Sequence, residues 1–204
     1  MPRPKQTPEQ IAAMRERILD AALALVSEQG PQALTIRAIA KQVGVSHMVL
    51  YTYFENRAAL VAAFVGRQRE RMKARRAEIV RRAEAGDVRE ALRESLASYA
   101  LMAQERPQIY RYQWVQPIDA PHHTNQHYHL RGQQKHLAHL IQLGIERGII
   151  ANRDPDLAAA AVLCIVNTPH ILHLSGRLQD KTLHTQLETE TLKIAMDYLF
   201  RMGE

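Results

Sequence analysis

The sequence has few of the residues that mark secreted, membrane or low-complexity proteins. Cys164 is the one cysteine among 204 residues, so no internal disulfide can form, as expected in a reducing compartment. Glycine and proline number nine each, too few for a low-complexity segment. We find no apolar run near the roughly 18 residues that a membrane span needs, and residues 1–5 lack the apolar centre of a secretory signal. We therefore expect a cytoplasmic protein with no membrane partner.

Positive charge is concentrated in one segment of the chain. The net charge is +6, and residues 57–82 contain nine Lys and Arg against two Glu, so this segment alone contributes +7. Such a segment is either a solvated, ion-paired helix face or a basic flank that attracts DNA over about one Debye length. We favour a mixture in which only the first helical turn, at Arg57, contacts phosphate.

Residues 35–54 predict two short helices joined by a tight turn. Thr35 and Ser46 each precede an apolar-periodic run, so each side chain can accept a hydrogen bond from a free N–H group at a helix start. Gly44 lies where the first helix must stop and the chain must adopt a positive φ. This spacing is typical of a helix-turn-helix, whose second helix enters the major groove.

The second of these helices has an unusual outward face. If Leu50 points inward, the opposite side presents His47, Met48 and Tyr51 in place of the Lys and Glu of an ordinary solvated helix. An ordinary helical hairpin is the alternative, but this composition favours a recognition surface.

The rest of the chain predicts further helices and no strand. Apolar periodicity, caps, glycine and proline place the other helices at about 8–29, from 57 onward, 88–104, 108–115, 125–148, 155–175 and 181–202, with a loop at 117–123. We expect Pro169 to interrupt and kink the helix over 155–175. The predicted fold is all-α with about nine helices. A three-helix domain with the helix-turn-helix over 1–56 is joined by a long helix to a second helical domain over 57–204.

This N-terminal pattern resembles the DNA-binding domain of the tetracycline-repressor (TetR) family of bacterial regulators. The resemblance covers roughly the first third of the chain. The matching residues are Ile18, Leu19, Ala21, Ala22, Leu25, Gly30, Leu34, Thr35, Arg37, Ile39, Ala40, Gly44, Val45, Ser46, Leu50, Tyr51, Tyr53, Phe54 and Leu60.

The resemblance implies a role for individual residues. The implied base contacts come from Arg37, His47, Met48 and Tyr51, and the implied phosphate contacts from Thr35, Ser46, Tyr53, Arg57 and the backbone of Val49. Arginine is a common partner of guanine, and hydroxyl groups and tyrosine phenols suit phosphate oxygens. Two positions depart from the family pattern, because Arg57 replaces a common lysine and Val49 replaces a common hydroxyl residue.

The resemblance implies an effector-binding and dimerisation domain over 57–204, and several aromatic and histidine side chains there are candidates for a small-molecule pocket. Core packing is the alternative, because aromatic residues at helical spacing usually fill cores. The candidate lining residues are Tyr99, Tyr110, Tyr112, Trp114, His170 and His173. A buried polar group such as His170 needs a partner, and a ligand can be that partner.

Nine of the ten histidines fall in the second domain. The pair His123 and His127 and the pair His136 and His139 have spacings that can place two metal ligands on one helix face. We favour a polar loop and helix surface over metal binding or pH sensing, and we assign neither a metal nor a cofactor. A His-rich metal-dependent protein stays open as an alternative, but the sequence has no phosphate loop, nucleophile elbow or paired catalytic carboxylates, so we predict no enzyme.

The last two predicted helices are apolar around much of their circumference. Their apolar residues are Leu157, Ala160, Ala161, Leu163, Cys164 and Ile165, followed by Leu187, Leu192, Ile194, Ala195, Tyr198 and Leu199. The resemblance implies that these helices form a four-helix dimer interface. The prediction is a homodimeric repressor that a small molecule releases from a palindromic double-stranded operator. A DNA-binding regulator without an effector is the alternative, and activation is also open.

Overall fold

A computed structural model describes residues 7–115 and 126–201. The predicted N-terminal arm and the loop over 117–123 lie outside these residues. The described chain is all-α, as predicted, with nine α-helices and no strand. The helices are α1 (Pro8–Gln29), α2 (Ile36–Val43), α3 (His47–Tyr51), α4 (Arg57–Glu84), α5 (Val88–Glu105), α6 (Pro107–Trp114), α7 (Gln126–Glu146), α8 (Pro155–Leu174) and α9 (Lys181–Phe200), with a short 3-10 turn at Pro31–Ala33.

Local capping signals set most of these boundaries. Thr7 and Gln10 form a reciprocal capping box at the start of α1, in which each side chain accepts a hydrogen bond from the other residue's backbone N–H. The carboxylates of Asp154 and Asp180 accept hydrogen bonds from the first backbone N–H groups of α8 and α9. At the start of α4 the Asn56 side chain accepts from the Ala59 N–H at 2.8 Å. The acidic Glu55 precedes the helix.

The chain separates into two compact units, Met1–Lys73 and Ala74–Glu204, and α4 contributes residues to both. The first unit has a small apolar core in which Ile18, Ile39 and Leu50 are completely buried. The functional boundary that we placed between residues 56 and 57 stays a prediction.

Within the first unit an ion-pair cluster connects α4 to α1. The Arg67 side chain is only 11% exposed, and its guanidinium lies 2.9 Å from a Glu16 oxygen and 2.8 Å from an Asp20 oxygen. Several other basic residues of the 57–82 segment also lie within 4.0 Å of a carboxylate, namely Arg71, Arg75, Arg81 and Arg82. Much of this charge is therefore balanced by neighbouring carboxylates, as the mixed interpretation expects.

The core of the second unit lies among α5, α7, α8 and α9. Its completely or almost completely buried residues include Leu92, Leu96, Leu137, Leu140, Ile141 and Leu199. The predicted interruption of α8 at Pro169 is wrong, because the helix is continuous from Pro155 to Leu174. The side chains of Asn167 and Thr168 donate to carbonyls one turn earlier, at 2.8 Å and 2.7 Å.

Helix α8 also corrects our expectation about membrane spans. It is long and apolar enough to cross a membrane by length and composition alone, with a mean hydropathy of 1.7 over its best window. Core helices pass the same test, and 44% of this window is buried within the structure. Because α8 packs against α5, α6, α7 and α9, its composition is weak evidence for a span.

The turn between α2 and α3 depends on the backbone freedom of Gly44, and this dependence can be tested. Gly44 has φ +78°, and a Cβ built there would meet no atom within 4 Å, so replacement adds backbone strain without a clash. We expect Gly44→Ala to lower the free energy of unfolding by about 1–2 kcal/mol, measured by denaturant titration.

Gly66, which lies within α4 and also has open space around its Cβ position, provides the matched control. Gly66→Ala should raise the free energy of unfolding by about 0.5–1 kcal/mol, because alanine loses less entropy in a helix. An equal effect of the two substitutions would contradict the role of Gly44.

Candidate nucleic-acid interface and effector site

The two short helices α2 and α3 form the predicted helix-turn-helix. Thr35 caps α2, because its hydroxyl oxygen accepts a hydrogen bond from the Ala38 N–H at 3.2 Å. The same prediction for Ser46 is wrong: Ser46 has the extended backbone of a cap residue, but its side chain makes no capping hydrogen bond. Its carbonyl accepts from the Val49 N–H at 3.0 Å, so α3 starts through backbone contacts and leaves the hydroxyl group exposed.

The outward face of α3 is the one that the sequence predicts. Leu50 is completely buried, whereas Met48 is 64% exposed and Tyr51 is 46% exposed. His47 is exposed next to Met48. On α2, Arg37 is exposed as well. All four predicted base-contacting side chains are therefore accessible to a partner.

The predicted phosphate-contacting residues divide into two groups. Thr35 and Ser46 are exposed, whereas Tyr53 is only 6% exposed, and its backbone carbonyl accepts a hydrogen bond from Arg15. Arg57 is exposed, but its Nε atom donates to the Leu34 carbonyl at 3.0 Å. Arg57 thereby connects the start of α4 to the residue before the α2 cap, and its phosphate contact stays a prediction.

In the second unit the structure brings the predicted pocket residues together in a continuous series of rings. Tyr99 contacts Trp114 edge to face, with ring centroids 5.9 Å apart. Tyr110 stacks beside Trp114 at 6.1 Å and meets the His170 ring at 5.7 Å. His184, which the sequence did not single out for the pocket, connects His173 to this series. The rings of His173 and His184 stack with centroids 4.2 Å apart. The side chain of Tyr112 lies outside the described residues.

Part of this series belongs to the core. Tyr110 is completely buried, and its hydroxyl donates to the Asn167 side-chain oxygen. Burial raises the pKa of the Tyr110 phenol and that of the Tyr99 phenol. Both phenols are therefore neutral, and Tyr110 already has the partner that a buried hydroxyl needs.

A cleft of about 230 Å³ lies among α5, α8 and α9. Its lining residues are Leu96, Ala97, Ala100, Val166, His170, Glu188, Thr189 and Leu192. His170 is the one predicted pocket residue among them, whereas Tyr99, Tyr110 and Trp114 do not line this cleft. The sequence analysis did not include Glu188 or Thr189, although Glu188 follows His184 by four residues and so shares a face of α9 with it.

Two histidines and a carboxylate meet at one edge of this cleft. His170 Nδ1 lies 3.2 Å from Glu188 Oε1 and 3.3 Å from His184 Nε2, and His184 Nε2 lies 3.7 Å from Glu188 Oε1. Gln104 on α5 donates to both Glu188 oxygens at 3.3 Å. Burial lowers the pKa of His170 to about 4, with smaller contributions from His184 and His173, and burial also lowers the pKa of His184.

Of the predicted histidine pairs, the described one, His136 and His139, does not form such a cluster. His136 is half-buried and lies 3.2 Å from the Ser95 hydroxyl, while His139 is exposed. Of the other pair, His123 and the side chain of His127 lie outside the described residues. Within 7–115 and 126–201, the group able to hold a metal is His170, His184 and Glu188.

Comparison with known proteins identifies the N-terminal part of the chain. Residues 18–64 match the family described as bacterial regulatory proteins, tetR family. The HTH-type transcriptional repressor KstR of Mycolicibacterium smegmatis is 41% identical over 61 residues. That alignment covers 30% of this chain and 30% of the repressor, so the chain matches less than a third of this curated relative's length.

Solved structures extend the likeness to the whole fold. A TetR transcription regulator from Haloarcula marismortui superposes with a TM-score of 0.67 at 23% identity, covering 95% of this chain and all of that one. The regulator FadR from Bacillus subtilis, solved with stearoyl-CoA, superposes with a TM-score of 0.64 at 20% identity, covering 90% and 98% of the two chains.

The fold and the exposed face of α3 define an all-α protein with an N-terminal helix-turn-helix. More particularly, the N-terminal domain is that of the TetR family, and the described chain has the TetR fold.

The environment of His136 generates a pH-dependent prediction. Burial, with a smaller contribution from the charge of Arg76, lowers the pKa of His136 to about 4, whereas an unfolded histidine titrates near 6.5. As the pH falls from about 6.5 towards 4, the unfolded chain takes up a proton that the folded chain excludes, so the free energy of unfolding falls.

We expect His136→Gln to show a smaller loss of stability across this range, measured by denaturant titration at several pH values. His139→Gln changes an exposed histidine of the same helix and is the matched control. Parallel pH profiles for His136→Gln and the unsubstituted protein would contradict the prediction.

Proposed function

We propose that this protein is a homodimeric transcriptional repressor that binds a palindromic operator through α2 and α3 and is released by a small-molecule effector. The observation that carries the proposal is the exposed face of α3. Met48 is 64% exposed and Tyr51 is 46% exposed, and a face with these residues is costly to leave in water unless a partner covers it.

The chemistry of the exposed residues suits the major groove. Arg37 can donate two hydrogen bonds to a guanine, and Met48 suits apolar base edges such as the thymine methyl group. The free Ser46 hydroxyl and the cap residue Thr35 suit phosphate oxygens at the helix starts. The base contacts would read the sequence, and the phosphate contacts would position the protein on the duplex.

Dimerisation is proposed through the outer faces of α8 and α9. Leu157 is 66% exposed on α8, and Ile194 and Tyr198 are 46% and 41% exposed on α9, four residues apart. A second copy of the chain would cover these side chains. A two-fold axis would also place two recognition helices about 34–36 Å apart, or a multiple of that, as a palindrome requires.

Effector control is proposed through the second unit. The cleft beside His170 combines apolar walls with a carboxylate and a hydroxyl group, which is the usual composition of a small-molecule site. FadR, which shares the fold, was solved with stearoyl-CoA. An effector would release DNA only to the extent that it prefers a conformation in which the recognition helices have the wrong spacing.

A regulator without an effector is the second candidate. The full burial of Tyr110 and its hydrogen bond to Asn167 favour it, because these groups behave as a packed core. The cleft near His170 favours the first candidate.

Operator binding can be measured with the DNA upstream of the protein's own gene, titrated at two salt concentrations. We expect saturable binding of one dimer to a short palindrome. Arg37→Ala and Tyr51→Ala should each weaken it by about 1–3 kcal/mol, the usual cost of losing a base contact.

Arg81→Ala is the matched control, since Arg81 is an exposed arginine of the second unit that is paired with Glu78. If instead binding is weak, indifferent to sequence and abolished by salt, only general charge attraction is at work, and the proposed operator function fails.

The dimer interface can be tested by placing charges on it. Leu157→Glu combined with Ile194→Glu should give a monomer in analytical ultracentrifugation, because two carboxylates would be buried without partners at the interface. The same double variant should lose operator affinity.

Ile11→Glu alters a residue of the first unit that is 39% exposed, and should leave the dimer intact. A dimeric Leu157→Glu/Ile194→Glu protein would contradict the proposed interface.

A further inference from the structure

We propose that His170, His184 and Glu188 form a binding site for a divalent transition metal ion, with zinc the best match to the three ligands. This inference goes beyond the proposed operator function, because it concerns a site within the second unit that needs no DNA.

The positions of the three ligand atoms match the face of a tetrahedron. For metal–ligand bonds of about 2.0–2.1 Å, the ligand atoms of a tetrahedral zinc site lie about 3.3–3.4 Å from one another. The observed separations are 3.2 Å between His170 and Glu188, 3.3 Å between the two histidines and 3.7 Å between His184 and Glu188. An ion would need little rearrangement of these side chains.

Hydrogen bonds can join at most two of the three atom pairs at the same time. A neutral histidine ring has one N–H group and one acceptor nitrogen. If His170 Nδ1 and His184 Nε2 both carry protons, each can donate to Glu188, but the two N–H groups then face one another at 3.3 Å. If His170 Nδ1 lacks the proton, its lone pair faces the Glu188 carboxylate at 3.2 Å, which is repulsive. A cation between the three atoms converts all three contacts into favourable ones.

The ligands are held by a supporting set of contacts. His170 is 2% exposed and the side chains of His184 and Glu188 are 12% and 11% exposed, so the site is largely shielded from water. Gln104 donates to the Glu188 carboxylate, and the His173 ring stacks on His184. Such outer contacts orient metal ligands and are typical of metal sites.

The ligand set also indicates the class of metal and the coordination. Two imidazoles and one carboxylate suit zinc and its neighbours cobalt and nickel better than the hard cations magnesium and calcium. Three protein ligands leave the fourth tetrahedral position open. His170 and Glu188 both line the 230 Å³ cleft, so a water molecule or a donor atom of a small molecule in the cleft would take that position.

The site can be tested by titrating the chelator-treated full-length protein with Co²⁺ and recording the visible absorption bands of tetrahedral cobalt. We expect one equivalent per chain to saturate the bands and Zn²⁺ to abolish them. Glu188→Gln and His184→Asn should each weaken binding by at least about 100-fold, the upper end of the loss seen when an outer contact alone is removed. Gln104→Ala should weaken it by about 10–100-fold.

His139→Ala removes an exposed histidine of α7 and serves as the matched control that should bind Co²⁺ as the unsubstituted protein does. Circular dichroism would establish that each variant is folded, and two independent ligand variants guard against the misfolding of one. An absence of cobalt bands would overturn the proposal, as would unchanged binding by Glu188→Gln and His184→Asn. Because no DNA is present, either result is independent of operator binding.

Discussion

The burial of Leu50 is the constraint on which the recognition surface depends. A helix of five residues such as α3 is not stable in isolation. The free-energy cost of forming its first turn exceeds the contribution of the few backbone hydrogen bonds that follow. It forms because Leu50, Ile39 and Phe54 complete a small apolar core with α1 and α4. Once Leu50 points inward, the helical period directs His47, Met48 and Tyr51 outward. The chemistry offered to DNA is thus a consequence of packing on the opposite side of the same helix.

The polar groups of the second unit obey a different constraint. Asn167 and His170 lie on the buried side of α8, where an unpartnered polar group costs free energy. Asn167 is satisfied by Tyr110 and by the Leu163 carbonyl. His170 faces His184 and Glu188 on α9 instead. These polar contacts connect α6 to α8 and α8 to α9.

Most of the fold was predictable because the sequence marks helix ends locally. Proline at the first helical position, aspartate caps and glycine stops place α1, α5, α8 and α9 within about two residues of the predicted bounds. The Ser46 prediction failed because an extended backbone at a cap position does not ensure that the side chain turns back. Pro169 was misread because a proline can remain inside a long helix when neighbouring helices and side chains support it.

The candidate sites were less predictable for a similar reason. The outward residues of α3 follow from periodicity within one helix, so sequence spacing was sufficient. The cleft and the His170, His184 and Glu188 cluster depend on which face of α8 meets which face of α9. Periodicity specifies a face but does not identify its partner. Glu188 therefore carried no signal until the two helices were placed side by side.

That cluster has a consequence for the order in which the chain can assemble. His170 and His184 are only 14 residues apart, on consecutive helices joined by a short turn, and Glu188 follows one helical turn later. Closing so short a loop has a low entropic cost, and contacts of low sequence separation form quickly. The helical hairpin of α8 and α9 can therefore bring these three side chains together before the longer-range packing of α5 and α7 is complete.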